Sequence, residues 1–242
     1  MNIVTAILDV LAPRHCLVCG RILGVNESHL CLHCDSDIPL TWSWTHERNP
    51  IADAFNEALA AMSADAVPAV YFRAAALMYY REGDGYRNIL RALKYDGDIR
   101  AGRKYSRMLG SFLASSELFR DVDTVVPVPL HWRRLLSRGY NQSAVIAREI
   151  ARSLNATYAP SVLRRTRRTT SQVHRSFADR SRNVLGAFSA GKIPPSARHI
   201  LIVDDTFTTG STLAACTLAL LNALPADSGI RISVVTLAKV DN

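Results

Sequence analysis

No stretch of the 242 residues approaches the roughly 18 to 20 uninterrupted apolar residues that a bilayer-spanning helix needs, so no membrane insertion is expected. Met1 to Ala12 carry Ile3, Val4, Ile7, Leu8 and Leu11 at helical spacing, but Asp9 interrupts them, and neither a basic leading region nor a small-residue cleavage site is present. They read as a short amphipathic helix and not as a secretion signal, which places the chain, on expectation, in the cytoplasm. Two common nucleotide cradles are missing: no Gly-Lys-Ser/Thr closes a Walker loop, and no GxGxxG follows a strand. Cysteine is scarce, five in all, with none between Asn49 and Val70.

What is present is enough apolar material, 48%, for one full core and a small appendage. The formal charge of +8 is unevenly placed: the 133–182 stretch has twelve arginines against Glu149 and Asp179, a net +10, whereas the first 50 residues balance at −2. Such a block implies an anionic partner, namely pyrophosphate, a phosphorylated sugar or a nucleic-acid backbone. The plainer alternative is a solvated basic face or a mobile loop.

Four cysteines form two CxxC pairs, Cys16/Cys19 and Cys31/Cys34. Each CxxC turn aims two thiolates at one ion, so the spacing predicts a tetrahedral, closed structural zinc site; disulfides and a redox CxxC are the alternatives. Gly20 suits the tight turn that such a knuckle requires. His15, His29 and His33 lie among the cysteines, but four thiolates already complete the shell. The fifth cysteine, Cys216, reads as packing.

The pattern divides the chain into a helix and knuckle over 1–45, a connector with one helix over 46–69, and an α/β domain over 70–242. Val70–Tyr80 reads as a strand region; Tyr86, Ile89, Leu90 and Leu93 stripe a helix ending near Lys94, and a further helix is expected over Arg100–Ala114. Asp123–Pro129 and His199–Val203 are short apolar runs of the buried parallel kind, followed by helices over Tyr140–Leu154 and Ser211–Leu224, and Ile230–Ala238 is rich in β-branched residues. The alternation predicts a parallel sheet flanked by helices, with its ligand site at the carboxyl ends of the strands.

At one such end stands Asp204-Asp205-Thr206-Phe207-Thr208-Thr209-Gly210-Ser211-Thr212. A helix N-terminus offers unpaired N–H groups and a favourable dipole to an anion, Gly210 permits close backbone approach, and the hydroxyls add donors. Two acids before the cradle sit where a sugar on that phosphate would present its hydroxyls. A helix cap and a pair of strand-ending acids would also account for the residue types one by one, but not for the uninterrupted combination.

The run ILIVDDTFTTGST resembles the phosphoribosyl-pyrophosphate loop of type I phosphoribosyltransferases. With the CxxC pairs, LKYDGD at Leu93–Asp98, PVPLHWRRLLSRGYNQS at Pro127–Ser143 and RTTSQVHRSFADRSRNVLGAF at Arg168–Phe188, the chain is similar to the ComF family, bacterial proteins associated with competence and the use of external DNA. The resemblance implies a type I phosphoribosyltransferase fold. It implies that Asp204 and Asp205 bind the ribose hydroxyls, and that Thr208, Thr209, Gly210, Ser211 and Thr212 hold the 5-phosphate. Arg133, Arg134, Arg138, Gly139 and Tyr140 would lie near the pyrophosphate, with Lys94 and the 164–182 block as a hood and Mg2+ accompanying the ligand. Catalysis would rest on Asp204, Asp205, Arg138 and Lys94. Many members carry further cysteines, and their lack over Asn49–Val70 predicts one zinc here. The acceptor is not identified, and no glutaminase domain accompanies the fold. The competing expectation keeps the pocket as a sensor, while the knuckle and basic block bind single-stranded DNA or competence proteins, with Tyr140, His174 and Phe177 stacking on bases. Dimers are common among type I folds, so a homodimer is an open expectation.

Overall fold

The computed structural model describes residues 13–62, 70–95, 98–166, 186–225 and 227–241. The expected N-terminal helix, Asp96 and Gly97 of the LKYDGD motif, and the hood residues from Arg167 through Arg182, with His174 and Phe177, fall outside them. In chain order the elements are α1 (Leu32–Ser36), α2 (Pro50–Met62), β1 (Arg73–Tyr80), α3 (Arg87–Lys94), α4 (Ile99–Ser115), β2 (Thr124–Pro127), α5 (Trp132–Arg138), α6 (Gln142–Ser153), β3 (Thr157–Tyr158), β4 (Leu163–Arg165), β5 (Phe188–Ala190), β6 (His199–Phe207), α7 (Ser211–Leu221) and β7 (Arg231–Val240). No helix among the described residues is long and apolar enough to cross a membrane.

Five strands form one parallel sheet in the order β1-β7-β6-β2-β3, and β4 and β5 pair separately as an antiparallel ribbon. The α/β class expected from the alternating pattern is therefore what the chain adopts. Both faces of the sheet are buried, which is why its strands read as continuous apolar runs. Val125, Leu201, Val203, Val235 and Leu237 meet residues of α3, α4 and α6 on one face. Val126, Ile200, Ile202, Ile232 and Val234 meet α2 and α7 on the other. The stretch expected as a connector contributes a layer of this core: Ile51, Phe55 and Leu59 of α2 are fully buried. Buried Asn49 explains its placement, because its Oδ1 accepts the N–H groups of Ile51 and Ala52 at 3.0 Å while its Nδ2 donates to Ala74 O of β1 at 3.1 Å.

From β2 the chain moves outward to β3, and from β6 it moves the opposite way to β7, so the crevice between the carboxyl ends of β2 and β6 is a topological switch point. The opposite end is sealed. There His199 Nδ1 lies 2.8 Å from Asp121, its Nε2 lies 2.8 Å from Ser233 Oγ, and Asp123 accepts the N–H groups of Arg198 and His199. Ser, His and Asp are thus aligned, but Ser233 and His199 are buried away from solvent, and the trio pins the strand starts and offers nothing to a substrate.

The cysteine knuckle shares the α3/α4 core: Cys16, Leu30, Cys31 and Cys34 belong to the same cluster as Ile89, Leu93 and Tyr105. Polar contacts reinforce the seat. Tyr86 Oη lies 2.9 Å from Cys34 O and 2.8 Å from Asp37 O, Asn88 Nδ2 donates to Leu17 O at 2.8 Å, and Lys104 pairs with Asp35 at 2.8 Å. A methyl group at Gly85 would stand 2.3 Å from the backbone oxygen of Val18. Gly85→Ala should therefore push the knuckle off its seat and cost about 1–3 kcal/mol, seen as a lower urea midpoint at unchanged slope. An unchanged midpoint would show that the knuckle does not rest on that residue.

Candidate functional site

β6 does not stop at Val203 as its apolar run suggests. Its partner β7 is ten residues long, so pairing continues through Asp204↔Thr236 to Phe207↔Lys239. Both acids are strand residues and only Thr208 to Gly210 form the turn. Gly210 takes a left-handed conformation (φ 74°) as the N-cap of α7, and an added Cβ would lie 2.8 Å from the Phe207 ring. The turn is closed by Thr209 Oγ1 and Ser211 Oγ, 2.9 Å apart.

A cleft of about 450 Å³ opens at this end of the sheet. Its charged lining is Asp204 and Asp205 against Lys94, Arg134, Arg138 and Arg165, with Thr212 reaching it from α7. An adjoining cavity of about 320 Å³ is shared by Lys94, Tyr95, Arg134, Arg138 and Tyr140. The structure thus brings together Lys94, Arg134, Arg138, Tyr140, Arg165, Asp204, Asp205 and Thr212 from four separate segments. Lys94, expected in a hood, sits instead on the acids, with Nζ 2.8 Å from Asp205 Oδ1 and 3.2 Å from Thr206 Oγ1. Arg133 lines neither cavity, and its guanidinium lies 5.2 Å from the centre of the exposed Trp132 ring. Gly139 is the left-handed C-cap of α5, and Tyr140 donates its hydroxyl to Leu93 O, fixing the end of α3 that carries Lys94. Thr208, Thr209, Gly210 and Ser211 stand at the turn and not in the cleft lining, where Thr212 alone represents the cradle.

Three residues that the sequence reading passed over complete the site. Ser143 Oγ donates to Asp204 Oδ1 at 2.7 Å. Asn141 caps α6 and ties it to Val128 O at 2.9 Å. Gln142 is buried and lines the cleft; its Oε1 accepts from Arg138 Nη1 at 3.0 Å, which leaves its Nε2 with no partner among the described residues. The signal was the Asn-Gln-Ser run following an apolar strand and a basic turn, a helix start aimed at the same crevice.

Burial and the neighbouring Asp205 push the Asp204 carboxyl up to about 7, against the opposing pull of Ser143, the Asp205 N–H and Lys94. Burial alone would lower the Lys94 ammonium, but the two carboxylates raise it above its usual value. For Asp204 the folded-state pKa exceeds the unfolded one, so ionisation costs stability above about pH 7 and the cost fades as the pH falls. Asp204→Asn should therefore stabilise the fold at pH 8, by a few degrees in Tm, and lose that advantage as the pH falls from about 7 to about 4. Equal destabilisation at both pH values would contradict a strained carboxylate.

The four knuckle sulfurs lie within 4.8 Å of one another and form a site able to hold a metal ion, with Cys16, Cys31 and Cys34 buried. Backbone N–H groups fix them: Cys31 N donates to Cys16 Sγ and Cys34 N to Cys31 Sγ, each at 3.4 Å. Glu27 organises the intervening turn by accepting from Gly24 N, Leu32 N and Arg21 Nη2, each at 2.6 Å. His15 and His29 are not needed as ligands: His15 Nδ1 lies 2.9 Å from Gly20 O, and His29 Nδ1 lies 3.1 Å from Asp98, the cap of α4.

No family model matches the chain. Among curated proteins it is 41% identical over 92 residues to the DNA utilization protein YhgH of Escherichia coli K12, a stretch covering 38% of this chain and 40% of that protein. It is 40% identical over 92 residues to the protein of the same name from Salmonella typhi, with the same coverage. To Competence protein F of Haemophilus influenzae it is 36% identical over 93 residues, 38% of this chain and 41% of that protein. The match thus spans about two fifths of the length of these relatives. Over that 38% of its length, the chain's likeness to a competence protein and to DNA utilization proteins supports its assignment to the ComF family.

Proposed function

We propose that the cleft binds phosphoribosyl pyrophosphate and that the chain serves the use of external DNA, in keeping with the DNA utilization and competence that its relatives' names carry. The observation that carries the first part is the placement of two carboxylates near the end of a central strand, followed through a short turn by a left-handed glycine that caps a helix, in a cleft lined by four cations. In this reading Asp204 and Asp205 accept hydrogen bonds from the ribose hydroxyls, and the turn from Thr208 to Thr212 holds the 5-phosphate at the N-terminus of α7. Arg134, Arg138 and Arg165 face the diphosphate, where guanidinium groups offer bidentate contacts. The Gln142 amide gains a partner when a ligand oxygen arrives. If the bound sugar is transferred, the C1–O bond breaks through an oxocarbenium-like state, and the cations stabilise the departing diphosphate by position and charge.

The knuckle ion in this reading is one structural zinc. A Zn–S bond of about 2.3 Å in a tetrahedron sets neighbouring sulfurs roughly 3.8 Å apart, and Cys19 Sγ and Cys31 Sγ are 3.8 Å apart. A closed set of four thiolates leaves no position for substrate.

A second reading has its own observation. Helix α5 buries none of its residues and exposes Trp132 and Leu136 beside Arg133, Arg134 and Arg138, a basic and aromatic surface of the kind single-stranded DNA favours.

Calorimetric titration with phosphoribosyl pyrophosphate should give saturable heat with the wild type and none with Asp204→Asn/Asp205→Asn. Absence of heat from a folded, metal-loaded wild type at millimolar ligand rejects the phosphoribosyl reading. For the second reading, single-stranded DNA affinity should fall steeply with salt and Trp132→Ala/Arg133→Ala should flatten that slope; an unchanged slope removes α5 from DNA binding.

A further inference from the structure

The acid pair already has a cation of its own. Lys94, the last residue of α3, holds Nζ 2.8 Å from Asp205 Oδ1, and both side chains are largely withdrawn from solvent, at 22% and 15% exposure. The carbonyls at the end of α3 favour a positive charge there. Asp204 is engaged separately, since its Oδ1 accepts from Ser143 Oγ and from the Asp205 N–H. Among the described residues, the cleft lining contains no third carboxylate. Mg2+ demands near-octahedral oxygen ligands and surrenders its water reluctantly. To sit on these acids it would have to displace an anchored ammonium and enter a lining in which three arginines stand beside the neutral oxygen donors Asn141, Gln142, Ser143 and Thr212. The acid pair as built does not fit the Mg2+ that the family resemblance implies.

We propose that Lys94 is a resident counter-cation of the Asp204/Asp205 pair, so that this cleft takes a diphosphorylated sugar without a divalent ion. The ammonium neutralises the acids, and Arg134, Arg138 and Arg165 neutralise the diphosphate. The ligand half of the proposal rests on the phosphoribosyl reading above, and the metal half stands without it.

Two measurements separate the halves. In thermal unfolding of the full chain with its knuckle metal in place, millimolar Mg2+ alone should leave the wild type and Lys94→Arg unshifted and raise the Tm of Lys94→Met, whose bare acids now collect the ion. An equal response of wild type and Lys94→Met overturns the proposal. In calorimetry with phosphoribosyl pyrophosphate, in Mg2+-free buffer without chelator so that the knuckle stays loaded, the wild-type affinity should lie within about threefold of its value with Mg2+. Lys94→Met should lose roughly tenfold or more without Mg2+ and recover part of it when the ion is added. A wild-type affinity that drops about tenfold when Mg2+ is omitted overturns the proposal. No binding in either buffer, with an Mg2+ shift confined to Lys94→Met, rejects the phosphoribosyl reading and leaves the counter-cation role standing.

Discussion

Two neighbouring carboxylates at the end of a strand covered on both faces repel each other in a setting that water screens poorly, and the surrounding architecture contains that repulsion. Ser143 donates to one acid from the start of α6, and Lys94 pairs with the other from the end of α3. Tyr140 holds α3 in place through its last turn. The helices on one face of the sheet are thereby drawn to a single point at the carboxyl ends of β2 and β6. Neutral side chains at 204 and 205 would relax the site and remove its two carboxylate acceptors. The strain and the acceptor capacity of the site are one property here.

Much of this was legible in the sequence, for a physical reason. Strands buried on both faces must be apolar throughout, so Val125–Val126 and Ile200–Val203 announced themselves, and the acids and hydroxyls that follow could only lie at the sheet's end. Less legible was where β6 stops, because strand length depends on the partner, and β7 carries the pairing on to Phe207. Helix α5 was hidden because it buries nothing and so shows no stripe; its limits come from His131, which caps the Arg133 N–H, and from left-handed Gly139. The ribbon of β4 and β5 left no signal beyond two short apolar runs. Lys94 was named through the resemblance as a catalytic and hood residue, but its seat on the acid pair was not. Its own segment presents it as an ordinary basic residue ending a helix, and only folding brings it from α3 to the end of β6.

The composition of the arginine-rich stretch is likewise sorted by the fold and not by the sequence. Arg134, Arg138 and Arg165 turn toward the cleft, while Arg133 stacks outward on Trp132 and Arg152 and Glu149 form an ion pair at 2.8 Å along α6. A net charge counted over a segment thus mixes cleft-facing groups with surface ones, and the basic block is better regarded as several populations in different settings.

The knuckle has no core of its own: its cysteines pack into the same cluster as Leu93, the residue next to Lys94. A metal ion held by the four cysteines would therefore be coupled to the ordering of α3, its binding free energy adding to that of folding. In thermodynamic terms, the chemical potential of such an ion would become a variable of the helix end that carries Lys94.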